Sequence, residues 1–165
     1  MPFYLKETDV VPELAGCRSA LIVVCRFCPA TSISLTRGEP YLDLWRGFPN
    51  TRPFEDHVAD LRRRLAEQGL ETEVFRGNLL NFMTCIWSTK LRRELRDTAR
   101  RYETAVVLGC DAACDSVRDI LAPTDCRVVH GMWSEGVWDA TPQVKWPGRV
   151  SFDLVSVTPM VRPAD

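Results

Sequence analysis

Two short runs constrain this chain most: Ala20-Leu21-Ile22-Val23-Val24-Cys25 and Ala105-Val106-Val107-Leu108, neither of which contains a polar residue. Runs of this length, rich in β-branched side chains, suit strands buried on both faces. Such strands need cover on both sides, and in a 165-residue chain the available cover is helical.

The rest of the sequence supplies the helices. Thr51-Arg52-Pro53 opens one in which Phe54, Val58, Leu61 and Leu65 recur on one face, with Gly69 as its C-terminal cap. Arg62, Arg63, Arg64 and Glu67 occupy the other face, and His57 reads as a surface residue of the polar side. Ser88 caps a second helix running to about Tyr102, and Asp111 begins a third that Pro123 stops. Leu70 to Phe75, Cys126 to His130 and Val150 to Val157 read as further strands.

Strand–helix alternation with buried strands predicts an α/β fold, a three-layer doubly wound and mostly parallel sheet of about four to five strands. The expected order is flavodoxin-like, 2-1-3-4, with 150–157 as an edge strand. Residues 1–165 are read as a single domain, with long loops at 29–50 and 131–148 lying over the carboxyl edge of the sheet.

Composition narrows the function classes. An apolar fraction of 45%, a charged fraction of 26% and a net charge of −1 offer nucleic acid or an anionic membrane no electrostatic grip. The longest apolar run is too short to cross a bilayer, and Lys6, Glu7, Asp9 and Glu13 interrupt any signal-peptide core. A cytoplasmic location is the expectation. Seven cysteines, an odd number, then point to metal, redox or catalytic use instead of a disulfide framework.

In a doubly wound sheet, ligands bind beyond the carboxyl ends of the strands at the switch point. The first and third strands of order 2-1-3-4 end there, each at a cysteine pair: Cys25 with Cys28, and Cys110 with Cys114. These four are the expected cofactor ligands, with Cys85 and His130 as reserve ligands at the same edge. Cys110 and Cys114 stand four apart at a helix start, where the dipole favours thiolates, and Gly109 leaves space beside them. An iron–sulfur cluster is the leading cofactor and zinc the alternative, with a redox partner protein implied. Cys17 and Cys126 read as core residues.

The order Val23-Val24-Cys25-Arg26-Phe27-Cys28, strand–helix, then Val106-Val107-Leu108-Gly109-Cys110-Asp111-Ala112-Ala113-Cys114 resembles the small iron–sulfur (delta) subunit of methyl-viologen-reducing hydrogenases. That resemblance implies electron transfer between a hydrogenase and heterodisulfide reductase through a [2Fe–2S] cluster on Cys25, Cys28, Cys110 and Cys114.

Two other readings stand beside this one. In the first, a C-x-x-C dithiol–disulfide oxidoreductase, Cys25 attacks and Cys28 resolves. In the second, a zinc-stabilised module grips a small molecule or partner chain with Tyr41, Trp45 and Phe48 from one loop and Trp133, Trp138 and Trp146 from the other. The chain contains no dinucleotide fingerprint, P-loop, nucleophile elbow or H-E-x-x-H sequence.

Overall fold

The structure is a computed structural model that describes residues 2–43, 51–77 and 83–160. Eight strands are β1 (Phe3–Glu7), β2 (Ser19–Val24), β3 (Leu42–Asp43), β4 (Glu71–Arg76), β5 (Thr104–Leu108), β6 (Arg127–His130), β7 (Met132–Lys145) and β8 (Arg149–Pro159). Among the described residues there are four α-helices, α1 (Cys28–Arg37), α2 (Arg52–Glu67), α3 (Thr89–Ala99) and α4 (Asp111–Leu121), and a short 3-10 helix at Pro12–Leu14. Among the described residues no helix is long and apolar enough to cross a membrane.

The expected single, mostly parallel flavodoxin-like sheet is not what forms. The strands divide into two four-stranded sheets: a parallel one ordered β4-β2-β5-β6 and an antiparallel one ordered β1-β7-β8-β3. The segment 150–157 is therefore no edge of the parallel sheet. It lies within β8, paired with β7 along the hairpin and with β3 at Leu42 and Asp43.

Both supposed loops also contain regular structure, for reasons visible in their side chains. Residues 28–37 form α1, although they read as turn-rich, because their hydroxyls are satisfied locally and across the interface. Thr31 Oγ1 donates to the Phe27 carbonyl (3.0 Å) and Thr36 Oγ1 to that of Ser32 (2.9 Å). Ser32 Oγ accepts the Leu5 N–H (2.9 Å) and donates to the Phe3 carbonyl (3.3 Å), fastening α1 to β1. Gly38, at φ 64°, ends the helix in a left-handed conformation that suits glycine. Residues 132–145 form β7, whose buried positions begin Met132, Ser134, Gly136 and Trp138. The alternation is strict, but two of the four inward side chains are a serine and a glycine, so hydropathy hides it.

The main core lies around the parallel sheet. Ala20, Leu21, Ile22 and Val23 of β2 and Ala105 to Leu108 of β5 are fully buried, as both-face burial requires. Phe54, Val58, Leu61 and Leu65 of α2 join them, while α1 packs on α2 and α3 on α4. His57 departs from its expected surface position. It is buried, with Nδ1 3.4 Å from Glu7 Oε1, and burial lowers its pKa ahead of the opposing pull of Glu7.

Truncating a side chain in this core costs transfer and cavity energy together. Leu95→Ala, at a fully buried position, should lose about 2–5 kcal/mol in urea unfolding. Leu154→Ala, exposed on β8, should change stability by less than about 0.5 kcal/mol.

Candidate thiol site at the ends of β2 and β5

Parallel pairing of β2 with β5 sets the site. Val24 lies opposite Leu108 in register, and the next amide, Cys25 N–H, donates to the Leu108 carbonyl (2.9 Å). Each chain then turns into a helix. Phe27 is the N-cap residue of α1 and Cys28 its first residue, while Cys110 is the N-cap residue of α4. Two helix starts thus stand beside each other at one edge, each carrying a sulfur.

Close approach at this point depends on Gly109. A Cβ there would lie 2.7 Å from Ala113 Cβ and 3.6 Å from Cys25 Cβ, so any side chain would push the first turn of α4 outward. The Asp111 amide is taken by the Ser134 hydroxyl of β7 (3.3 Å), tying α4 to the antiparallel sheet.

The two helix-start sulfurs meet. The Cys28 thiol donates a hydrogen bond to Cys110 Sγ, and this contact is the largest cause of opposite pKa shifts in the pair. Cys110 falls from an ordinary 9.0 to about 6: the hydrogen bond from Cys28 favours its thiolate, burial opposes it, and the amides of Ala113, Ala112 and Cys110 add to the lowering. These amides act at longer range than a capping hydrogen bond, since the Cys110 side chain makes none. Cys28 is driven upward, first by that same hydrogen bond and then by burial, with the Phe3 amide of β1 opposing. The two thiols therefore titrate as a coupled pair.

The other candidates are placed differently. Cys25 is buried beside the pair, and its charge is felt at Cys28. Cys114 is fully buried one turn into α4, where burial, followed by Asp111, pushes its thiol up to about 12. Cys85 is exposed, its pKa raised by desolvation and by charge at Cys25 and Cys110, which places it within electrostatic reach of the site. His130 ends β6 and faces α4. Its Nε2 lies 3.2 Å from the Arg118 guanidinium and its Nδ1 3.7 Å from Asp111 Oδ1. Cys126 is buried, its thiol raised to about 11 by burial, and Cys17 is half-buried beside Thr104.

None of the seven cysteines is in a disulfide. Among the described residues, no group of three or more His, Cys, Asp or Glu side chains is arranged to hold a metal ion. Of the expected ligands Cys25, Cys28, Cys110 and Cys114, with Cys85 and His130 in reserve, the structure brings Cys28 and Cys110 together with Cys25 beside them. Cys114 is packed into the core, and the ring nitrogens of His130 face Asp111 and Arg118.

Among the described residues, the aromatic side chains of the two segments do not form a common cage. Trp133 faces solvent and Trp138 inward on β7, while Trp146 at the hairpin turn is 94% exposed. Trp138, Phe152 and Tyr41 instead form a row with ring centroids 5.7 and 5.4 Å apart. Tyr41 lies beside the thiols: its hydroxyl donates to the Arg26 carbonyl (3.3 Å), and burial raises its pKa ahead of charge at Cys25 and Cys28. Trp45 and Phe48 fall outside the described residues. Ser134 and Phe3 carry no sequence signal for the site, because both belong to strands of the other sheet. Arg26 did carry one, by standing between two cysteines.

Two measurements test this arrangement. A lowered thiol pKa stabilises the fold above the ordinary value, and that stabilisation is lost as pH falls through the folded value. The raised Cys28 acts in the opposite sense, its contribution being present below 9.0 and fading above it. The urea midpoint of the wild type relative to Cys110→Ser should therefore rise from about pH 6 to about pH 9 and stop rising beyond it. Gly109→Ala should move the thiolate titration, followed by ultraviolet absorbance, from about 6 back toward 9.0. An unchanged titration would remove Gly109 from the account.

Comparison with known proteins gives no match: no protein-family model fits the sequence, and neither curated proteins nor solved structures pair with it.

Proposed function

We propose that this chain is a thiol–disulfide redox protein in which Cys110 is the attacking thiolate and Cys28 the resolving thiol. One contact supports the reading: the side-chain approach of Cys28 and Cys110 at two adjacent helix starts, which shifts the acidity of the two thiols in opposite directions. The pair differs from the C-x-x-C pair expected from sequence, because Cys25 is the neighbour and Cys110 the partner.

The chemistry balances on these two residues. The Cys110 thiolate attacks one sulfur of a substrate disulfide, forming a mixed disulfide and expelling the other sulfur as a thiolate that takes up a proton. Cys28 then loses its proton and attacks Cys110 Sγ. A Cys28–Cys110 disulfide forms, and the second substrate sulfur leaves as a thiol. The substrate disulfide gains two electrons and two protons; the protein supplies both electrons and the Cys28 proton, and solvent supplies the second proton. A reducing thiol, from a partner protein or a small molecule, reverses the process.

A pKa near 6 keeps Cys110 ionised at neutral pH, so no separate base is required for the first attack. Both residues are more than nine-tenths buried. Thiols kept unpaired suit a reducing compartment such as the cytoplasm.

Mild oxidation of the purified protein should consume two thiols and yield a Cys28–Cys110 cross-linked peptide in mass spectra. Disulfide reduction should fall by about two orders of magnitude or more in Cys110→Ser, and Cys28→Ser should accumulate the mixed disulfide. A disulfide between other cysteines, or stoichiometric iron or zinc after anaerobic purification, would overturn the assignment.

A further inference from the structure

Of the two histidines, His57 is the buried one, 6% exposed, and it sits where three elements meet. Its own helix, α2, contributes Phe54, Val58, Leu61 and Leu65 to the main core. Glu7 ends β1 of the antiparallel sheet, and its Oε1 lies 3.4 Å from His57 Nδ1. Arg37, in the last turn of α1, approaches the same carboxylate at 3.8 Å and donates to the Pro53 carbonyl at the start of α2 (3.2 Å). One carboxylate of β1 thus gathers a side chain from each of two helices.

A proton on His57 adds a further cation to this seam. Arg37 already shares the Glu7 charge, and Glu7 itself is exposed to water, which weakens its pull. Arg64 faces the ring from further along α2, where it pairs with Asp60 (3.2 Å) and Asp9 (3.4 Å). Burial is the largest influence on the ring and opposes the proton, as do Arg37 and Arg64, while Glu7 and Asp60 favour it. The balance favours the neutral ring, and the pKa lies below the ordinary 6.5.

We propose that His57 and Glu7 form a pH-sensitive latch between the two layers of the molecule: the neutral ring fills the seam and holds β1 against α2, and protonation of His57 loosens β1 there. A histidine in such a seam converts a change of pH into a change of packing. The latch is at full strength above 6.5 and weakens as the pH falls below it. It loses no more once the folded ring is itself protonated. The strand it releases is the one whose Leu5 amide and Phe3 carbonyl are bonded to Ser32 of α1.

Nuclear magnetic resonance of the full-length protein tests the latch. The His57 ring should titrate below 6.5, and lower still in Glu7→Gln, where a favourable charge is lost at an exposed position. Exchange of the Leu5 amide is measured as a ratio to that of the Ile22 amide, in the fully buried β2, so that ordinary pH dependence and global unfolding cancel. From about pH 7.5 to about pH 5 this ratio should rise about threefold or more in wild type. It should stay level in His57→Gln, which keeps a polar side chain of similar size that does not titrate. A His57 titration at or above 6.5, a level ratio in wild type, or the same rise in His57→Gln overturns the latch. Glu7→Gln decides the matter even where His57→Gln fails to fold, since a His57 titration unmoved by it also overturns the proposal.

Discussion

Everything at the site follows from the pairing of β2 with β5 at the centre of the parallel sheet. Both strands are apolar along their length, so both must be covered by helices, and each helix must begin where its strand leaves the sheet. Adjacent parallel strands in register end at the same level, and the helix starts that follow are forced into proximity. The Cys25 amide, bonded to the Leu108 carbonyl, carries that register one residue past the last strand residue of β2. The thiols inherit their separation from a backbone ladder that is among the best-buried parts of the molecule.

Once the sulfurs are that close, electrostatics decides how they share protons. Two thiolates side by side in a buried setting repel each other, and two neutral thiols leave the α4 amides without a charge to face. One thiolate accepting from one thiol avoids both costs. The asymmetry between the residues is topological. Cys110 occupies the N-cap position, with the amides of Ala112 and Ala113 ahead of it, whereas Cys28 is already inside its helix and faces the Phe3 amide.

Much of this edge was legible in the sequence, and the limits of legibility are physical. Unbroken apolar runs ending in Cys25 and just before Cys110 identified the buried strands and the residues at their ends. Helical spacing of Phe54, Val58, Leu61 and Leu65 identified α2. The antiparallel sheet was hidden because its inward positions include Ser134 and Gly136, whose fit depends on what lies opposite them. Helix α1 was hidden because Thr31, Ser32 and Ser34 are buried in it, and buried hydroxyls are recognisable only once their partners are known. His57 was misplaced for the same reason, its partner Glu7 lying on a distant strand. That Cys110 pairs with Cys28 and not with Cys114 also could not be read from spacing, since i and i+4 share a helical face while an N-cap residue points back across the helix start.

The hydrogen bond from the Asp111 amide to Ser134 joins these themes in an unexpected direction. Ser134 belongs to one sheet and Cys110 to the edge of the other, yet both address the same half-turn of backbone. The orientation of the amides that make Cys110 acidic is therefore held partly from outside its own sheet. The turn of backbone that carries Cys110 into α4 is thus fastened to both layers at once.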